Sequence, residues 1–73
     1  MKTLDQLNIG DKMMIKNLSK DSAVRRRLLD MGLTPGTGLQ VTGKAPFGDP
    51  IEILVRGYKL SLRKSEAENV MGE

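Results

Sequence analysis

Most apolar side chains in this chain stand two positions apart. Met13 and Ile15 alternate with Met14 and Lys16, Leu39 with Val41 in GLQVTGK, Ile51, Ile53 and Val55 in PIEILVR, and Tyr58, Leu60 and Leu62 in YKLSLR. A period of two lines one face of an extended strand. It predicts a first strand over about 12–17 and three more from Gly36 onward. One segment departs from this rule, because Val24, Leu28 and Met31 follow the helical spacing i, i+4, i+7. It predicts one amphipathic helix over about 20–31, with Ser19 as its N-cap and Asp21 in the first turn, where the helix dipole favours an anion. Gly32 follows the last apolar position, where a left-handed residue closes a helix, and Pro35 forbids continuation.

The connections are also readable. Thr3 followed three residues later by Gln6 has capping-box spacing, so residues 3–7 predict a short helical turn. Gly10 and Asp11 favour a tight turn. Only Arg56 and Gly57 separate Val55 from Tyr58, which fits a primed two-residue hairpin with those two residues opposite each other. KAPFGDP, residues 44–50, carries two prolines and Gly48-Asp49 and is a loop whose Phe47 is either tucked under the barrel edge or displayed. Core packing is the default expectation for Phe47 and Tyr58. Near the end, Ser65, Glu66 and Ala67 favour a short helical turn that docks Ala67 and Val70 before the tail frays. Four or five short antiparallel strands, a helix inserted after the first and a core of Val, Ile, Leu and Met predict a mainly β fold. The expected form is a small SH3-like antiparallel barrel of about five strands, a single domain over 1–73.

Composition narrows the chemistry. The chain has no Cys and no His, which removes disulfides, thiolate metal sites, the commonest transition-metal ligand and the usual general base near neutral pH. Carboxylates such as Asp49, Glu52, Glu66 and Glu68 show no spacing that recommends a metal, and the five Met residues read as core filling and chain ends. No catalytic residue, cofactor or metal ligand is assigned, and the chain is not expected to be an enzyme. No apolar run exceeds three residues, as in ILV at 53–55, far short of a bilayer span. The N-terminus lacks the apolar stretch of a secretory signal, so the expected location is cytoplasmic.

Twelve Lys and Arg against nine Asp and Glu give a net charge of +3, with both signs interspersed. The densest basic cluster is VRRR at 24–27. On the predicted helix Arg25 and Arg26 point away from the apolar stripe, while Arg27 lies at its border and can lay its methylenes over the core. Asp21 stands four residues before Arg25 and Asp30 four after Arg26, so i,i+4 ion pairs are available. Solvated helix surface is the default for this cluster, contact with a protein the favoured exception and nucleic acid the least favoured. With one Phe and one Tyr, the chain lacks the aromatic lining of a proline-rich peptide groove and the stacking platforms of single-strand nucleic-acid barrels.

Taken in order, LDQLNIGDK, the helix, DMGLTPGT, APFGDP and VRGYKLSLRKSEA resemble the FeoA family of bacterial ferrous iron transport accessory proteins over essentially the whole chain. Leu29, Asp30, Met31, Gly32, Leu33, Pro35 and Gly36 match the family's helix-end motif. Gly48, Asp49 and Pro50 match its central loop, and Arg56, Gly57, Leu60, Ser61, Leu62 and Arg63 its hairpin and final turn. Gly38 departs from the larger or charged residue expected at the start of that strand. The resemblance implies a small cytoplasmic protein that acts with the large ferrous iron permease, through the permease's cytoplasmic G-protein domain or its membrane core. It would be peripheral to the membrane only through that partner and would not itself bind iron. Arg25, Arg26, Phe47, Asp49 and Tyr58 are the candidate contact residues. Two other readings stay open, a self-associating scaffold and, less favoured, a nucleic-acid-binding small barrel.

Overall fold

The computed structural model describes residues 1–73 and consists mainly of antiparallel strands. Its elements are β1 (Lys2–Thr3), β2 (Lys12–Leu18), α1 (Ser22–Asp30), β3 (Gly38–Lys44), β4 (Ile51–Val55), β5 (Tyr58–Leu62), α2 (Lys64–Ala67) and β6 (Val70–Gly72), with single 3-10 turns at Leu4–Gln6 and Pro46–Gly48. The strands form one sheet in the order β1-β6-β2-β3-β4-β5. The alternation read from the sequence is the alternation of burial: Met13, Ile15, Leu39, Val41, Ile51, Ile53, Val55 and Leu62 all face the core. Leu28 from α1, Leu33 from the segment after it, and Leu4, Leu7, Ala67 and Val70 from the chain ends complete it.

One strand serves both halves of the sheet. Met13 and Met14 of β2 pair with Leu39 and Gly38 of β3, whereas Ile15, Asn17 and Leu18 pair with β6. The change of partner coincides with a register shift between Ile15 and Asn17, the kind of bulge that bends a strand. A second shift in β3 between Val41 and Gly43 leaves Thr42 unpaired, and its hydroxyl instead meets the Glu52 carboxylate at 2.9 Å. The short α2 leads from β5 to β6, so two consecutive strands lie at nearly opposite ends of the sheet order.

Three expectations are corrected. The sheet has six strands where about five were expected, and its hydrogen bonding leaves β1 and β5 as free edges where a closed barrel would join them. The tail does not fray: Val70–Gly72 pairs with both β1 and β2, and Glu73 exchanges two backbone hydrogen bonds with Met14. The N-cap of α1 is Asp21, whose Oδ1 accepts from the N–H groups of Ala23 and Val24 at 3.0 and 3.2 Å. Ser19 stands two residues back, its hydroxyl accepting from the Asp21 N–H.

Candidate functional site

The five candidate contact residues do not converge. Arg25 and Arg26 are exposed on α1, and neither takes part in an ion pair; the pairs that form are Arg27 with Glu66, Lys59 with Glu52 and Arg63 with Asp49. The expected i,i+4 pairs fail for a local reason at one end, since the Asp21 carboxylate already caps the helix. Arg27 bridges instead to α2, so one of the three arginines ties elements together and the other two remain free. Arg26 lines a shallow groove with Ala23, Arg27, Asp30 and Met31.

Tyr58 and Asp49 serve the fold. Tyr58 opens β5 opposite Val55, as the hairpin predicts, with Arg56 and Gly57 both at positive φ in the turn. It is 42% exposed and so is not a core residue; its hydroxyl donates to the Met31 carbonyl at the end of α1, at 3.3 Å. That places the phenol over Gly32, whose φ of +89° closes the helix as expected. The Asp49 Oδ1 accepts from the Lys64 N–H at 3.2 Å and lies 4.0 Å from the Arg63 guanidinium, anchoring the 44–50 loop to the start of α2.

Phe47 is displayed. It sits at the centre of the Pro46–Gly48 turn with φ +70° and is 99% exposed. Nothing in the chain packs against its ring, and a non-glycine residue in the left-handed region carries a backbone cost. Core packing is thus wrong for both aromatic residues, and for Phe47 the opposite extreme holds.

A further surface lies where periodicity gave no hint. On the outer face of the sheet Met14 stands opposite Gly38, and Gln40 opposite Leu54. Because Gly38 has no side chain, Met14 and Leu54 border an open apolar groove of about 480 Å³, with Lys12, Arg56 and Glu73 on its rim. A Cβ built on Gly38 would meet nothing nearer than the Met13 carbonyl at 4.0 Å. The available signal was the pair of facts that Met14 and Leu54 break the polar side of their strands and that a glycine stands opposite one of them.

One titratable group is tuned. The Glu66 carboxyl is held below its ordinary value, first by the Arg63 N–H, which donates to its Oε1 at 2.9 Å, and then by the Arg27 guanidinium; burial works in the opposite direction. This belongs to the α1–α2 contact, not to a reactive centre. No cluster of three or more carboxylates is gathered closely enough to hold a metal ion, and no helix is long and apolar enough to cross a membrane.

The geometry is that of a small β domain with surfaces and without a pocket of converging polar groups, and known proteins with this geometry are similar in sequence as well. A model of the FeoA domain matches residues 2–73. An NMR structure of a FeoA-like protein from Clostridium acetobutylicum superposes with a TM-score of 0.90 at 43% identity, over 100% of this chain and 88% of that one. The FeoA of Stenotrophomonas maltophilia, a prokaryotic SH3 domain protein crystallised with zinc, gives 0.85 at 26% identity, over 100% and 91%. An Fe(2+) transport protein A/Fe(2+) transporter FeoB fusion protein of Porphyromonas gingivalis is 31% identical over 67 residues, which are 92% of this chain and 8% of the fusion. With the family model spanning residues 2–73 and relatives similar in both sequence and fold, the chain belongs to the FeoA family.

Proposed function

We propose that this protein is an accessory factor of ferrous iron uptake that works in the cytoplasm by touching the FeoB permease, and that it neither carries iron nor catalyses a reaction. The observation that carries the reading is the Porphyromonas gingivalis fusion, in which a domain of this kind and the transporter are one polypeptide. Covalent linkage holds two modules at high effective concentration, which favours pairs whose work depends on contact. The surface supports the same reading: Phe47 is an exposed aromatic on a loop that Asp49 anchors, and Arg25 and Arg26 are free cations on a helix that Arg27 anchors.

Titration of the isotopically labelled chain with the soluble G-protein domain of the cognate permease tests it, in nucleotide-free, GDP and GTP-analogue forms. Chemical shift changes grouped on α1 and residues 44–50, and differing between the nucleotide forms, are the expected result. Unchanged spectra in all three forms would overturn contact with that domain.

A further inference from the structure

We infer that the free edge of β5 is a docking site for an extended, acidic peptide segment, which joins the sheet there as a further strand beside α1. The hairpin fixes which backbone groups that edge presents. Arg56 and Gly57, both at positive φ, close it in two residues, so Val55 and Tyr58 are a hydrogen-bonded pair and bonded and non-bonded pairs alternate from there. Leu60 and Leu62 exchange hydrogen bonds with Ile53 and Ile51, while Lys59 and Ser61, opposite Leu54 and Glu52, turn their N–H and C=O groups away from β4. No strand lies on that side of β5, and no turn or loop hydrogen bond reaches these four groups. Both residues are exposed. Donors and acceptors repeating every second residue along an open edge fit one kind of ligand, a chain in extended conformation. The other edge strand, β1, is two residues long and offers no such row.

The helix forms the second wall. It is tied to the β5 side at two points: the Tyr58 hydroxyl donates to the Met31 carbonyl at 3.3 Å, and Arg27 bridges to Glu66 in α2, just beyond the end of the strand. Tyr58, Leu60 and Leu62 share the face of β5 that looks to the core and to α1, and Leu60 packs at the margin of the core as do Val24 and Met31 of the helix region. The face of α1 that carries Arg27 and Met31 also carries Ala23, Arg26 and Asp30 and is an open, shallow groove. Alternate side chains of an added strand therefore point towards this face of α1, and the others lie beside Lys59 and Ser61 on the outer face of the sheet.

Charge selects the occupant. The segments that frame the edge, α1 and residues 51–66, hold seven of the chain's twelve Lys and Arg but only three of its nine Asp and Glu, so the whole positive surplus of the molecule lies here. The three carboxylates are Asp30, Glu52 and Glu66, of which Glu52 is engaged by Lys59 and Glu66 by Arg27. Arg26 is in no ion pair, and the Arg56 guanidinium contacts only the hydroxyls of Thr34 and Thr37. An incoming strand with carboxylates at alternate positions complements this surplus. A second copy of β5 would instead set the surplus against itself, and a basic strand would do the same.

This docking site does not depend on the permease, and the purified chain with two short peptides tests it. The probe is an acetylated, amidated hexapeptide of alternating Val and Glu, and the Val and Lys hexapeptide is its control. In the free chain the Lys59 and Ser61 amides should exchange with solvent almost unprotected while those of Leu60 and Leu62 are protected. The acidic peptide, titrated to about 5 mM as a single added strand requires, should slow exchange at Lys59 and Ser61 severalfold and shift their NMR signals together with those of Arg26; the basic peptide should do neither. Ser61→Pro removes an outward N–H and leaves the β4–β5 ladder intact, a change that an edge strand tolerates, and it should abolish the response. Lys59→Pro is the second edge variant should that one fold poorly, and Arg26→Glu should weaken the acidic peptide about threefold or more. Protection of Lys59 and Ser61 in the free chain at every concentration, unchanged amides with the acidic peptide, a response that survives the edge variants, or equal responses to both peptides would each overturn the inference. So would protection that grows with chain concentration in the absence of peptide, which would give the edge to a second copy.

Discussion

At Gly32 a missing methyl group meets two constraints. Its φ of +89° is costly for any residue with a Cβ, and a Cβ there would lie 2.7 Å from the Tyr58 hydroxyl. The hydroxyl ends a flexible side chain and can swing aside, so the backbone dominates: Gly32→Ala should cost about 1–2 kcal/mol, read as a lower urea midpoint with an unchanged slope. In a Tyr58→Phe background most of that cost should remain; its disappearance would assign the effect to the phenol. Phe47 behaves in the opposite way. Because its ring contacts nothing and Asn tolerates positive φ, Phe47→Asn should leave stability unchanged or raise it by up to about 1 kcal/mol. Glu66 supplies a pH dependence. Its folded-state pKa is lowered, so its contribution is present above the ordinary glutamate value of about 4.3 and is lost as pH falls through that value and the lower folded one. Glu66→Gln should therefore destabilise by about 1 kcal/mol at neutral pH, and the difference from wild type should shrink in urea melts run into acid.

Among the secondary-structure elements, β6 was the least visible in advance, yet it is paired on both sides in the sheet. VMG offers two apolar residues and a glycine, too few to establish a period, and its partner residues in β1 and β2 lie 52 to 70 positions earlier in the chain. The fit is close: a Cβ on Gly72 would lie 2.2 Å from the Met14 carbonyl and 2.7 Å from the Met13 Cγ. Backbone cannot yield as a side-chain tip does, so Gly72→Ala should cost about 3 kcal/mol or more. Gly38→Ala, two strands away in β3 and with open space, should be close to neutral; equal losses for the two would contradict the packing described. By contrast β3, β4, β5 and their hairpin were legible to within a residue at each end, though not the exposure of Tyr58, because alternation and a two-residue turn are local properties. The helix was legible in extent but not in its cap, since Ser19 and Asp21 are both competent and the choice depends on where β2 releases the chain.

For the molecule as a whole, the charge on α1 and the apolar features on the sheet belong to separate surfaces. Reversing Arg25 and Arg26 to Glu should leave the melting temperature within a degree or two, as expected where no contact is lost, while weakening binding to the permease domain about tenfold or more. Unchanged affinity would assign the two arginines to ordinary helix surface. The candidate site was partly legible. Arg25 and Arg26 stand exposed on the helix as the sequence placed them, Phe47 is exposed where core packing was the default, Asp49 and Tyr58, though exposed, are engaged with α2 and the end of α1, and the groove at Gly38 went unread.

The sequence by itself determined the strand period, the single helix, the hairpin register and the motif order that marks the family, since each depends on neighbours a few residues apart. Its lack of Cys and His also rules out disulfides and thiolate or imidazole ligands from this chain. Which exposed residues are free and which are engaged was decided by the tertiary structure, because that requires knowing what approaches from distant parts of the chain. Phe47 and Tyr58 make the point: two aromatic residues of similar local character, of which one reaches a carbonyl 27 positions away and the other reaches nothing.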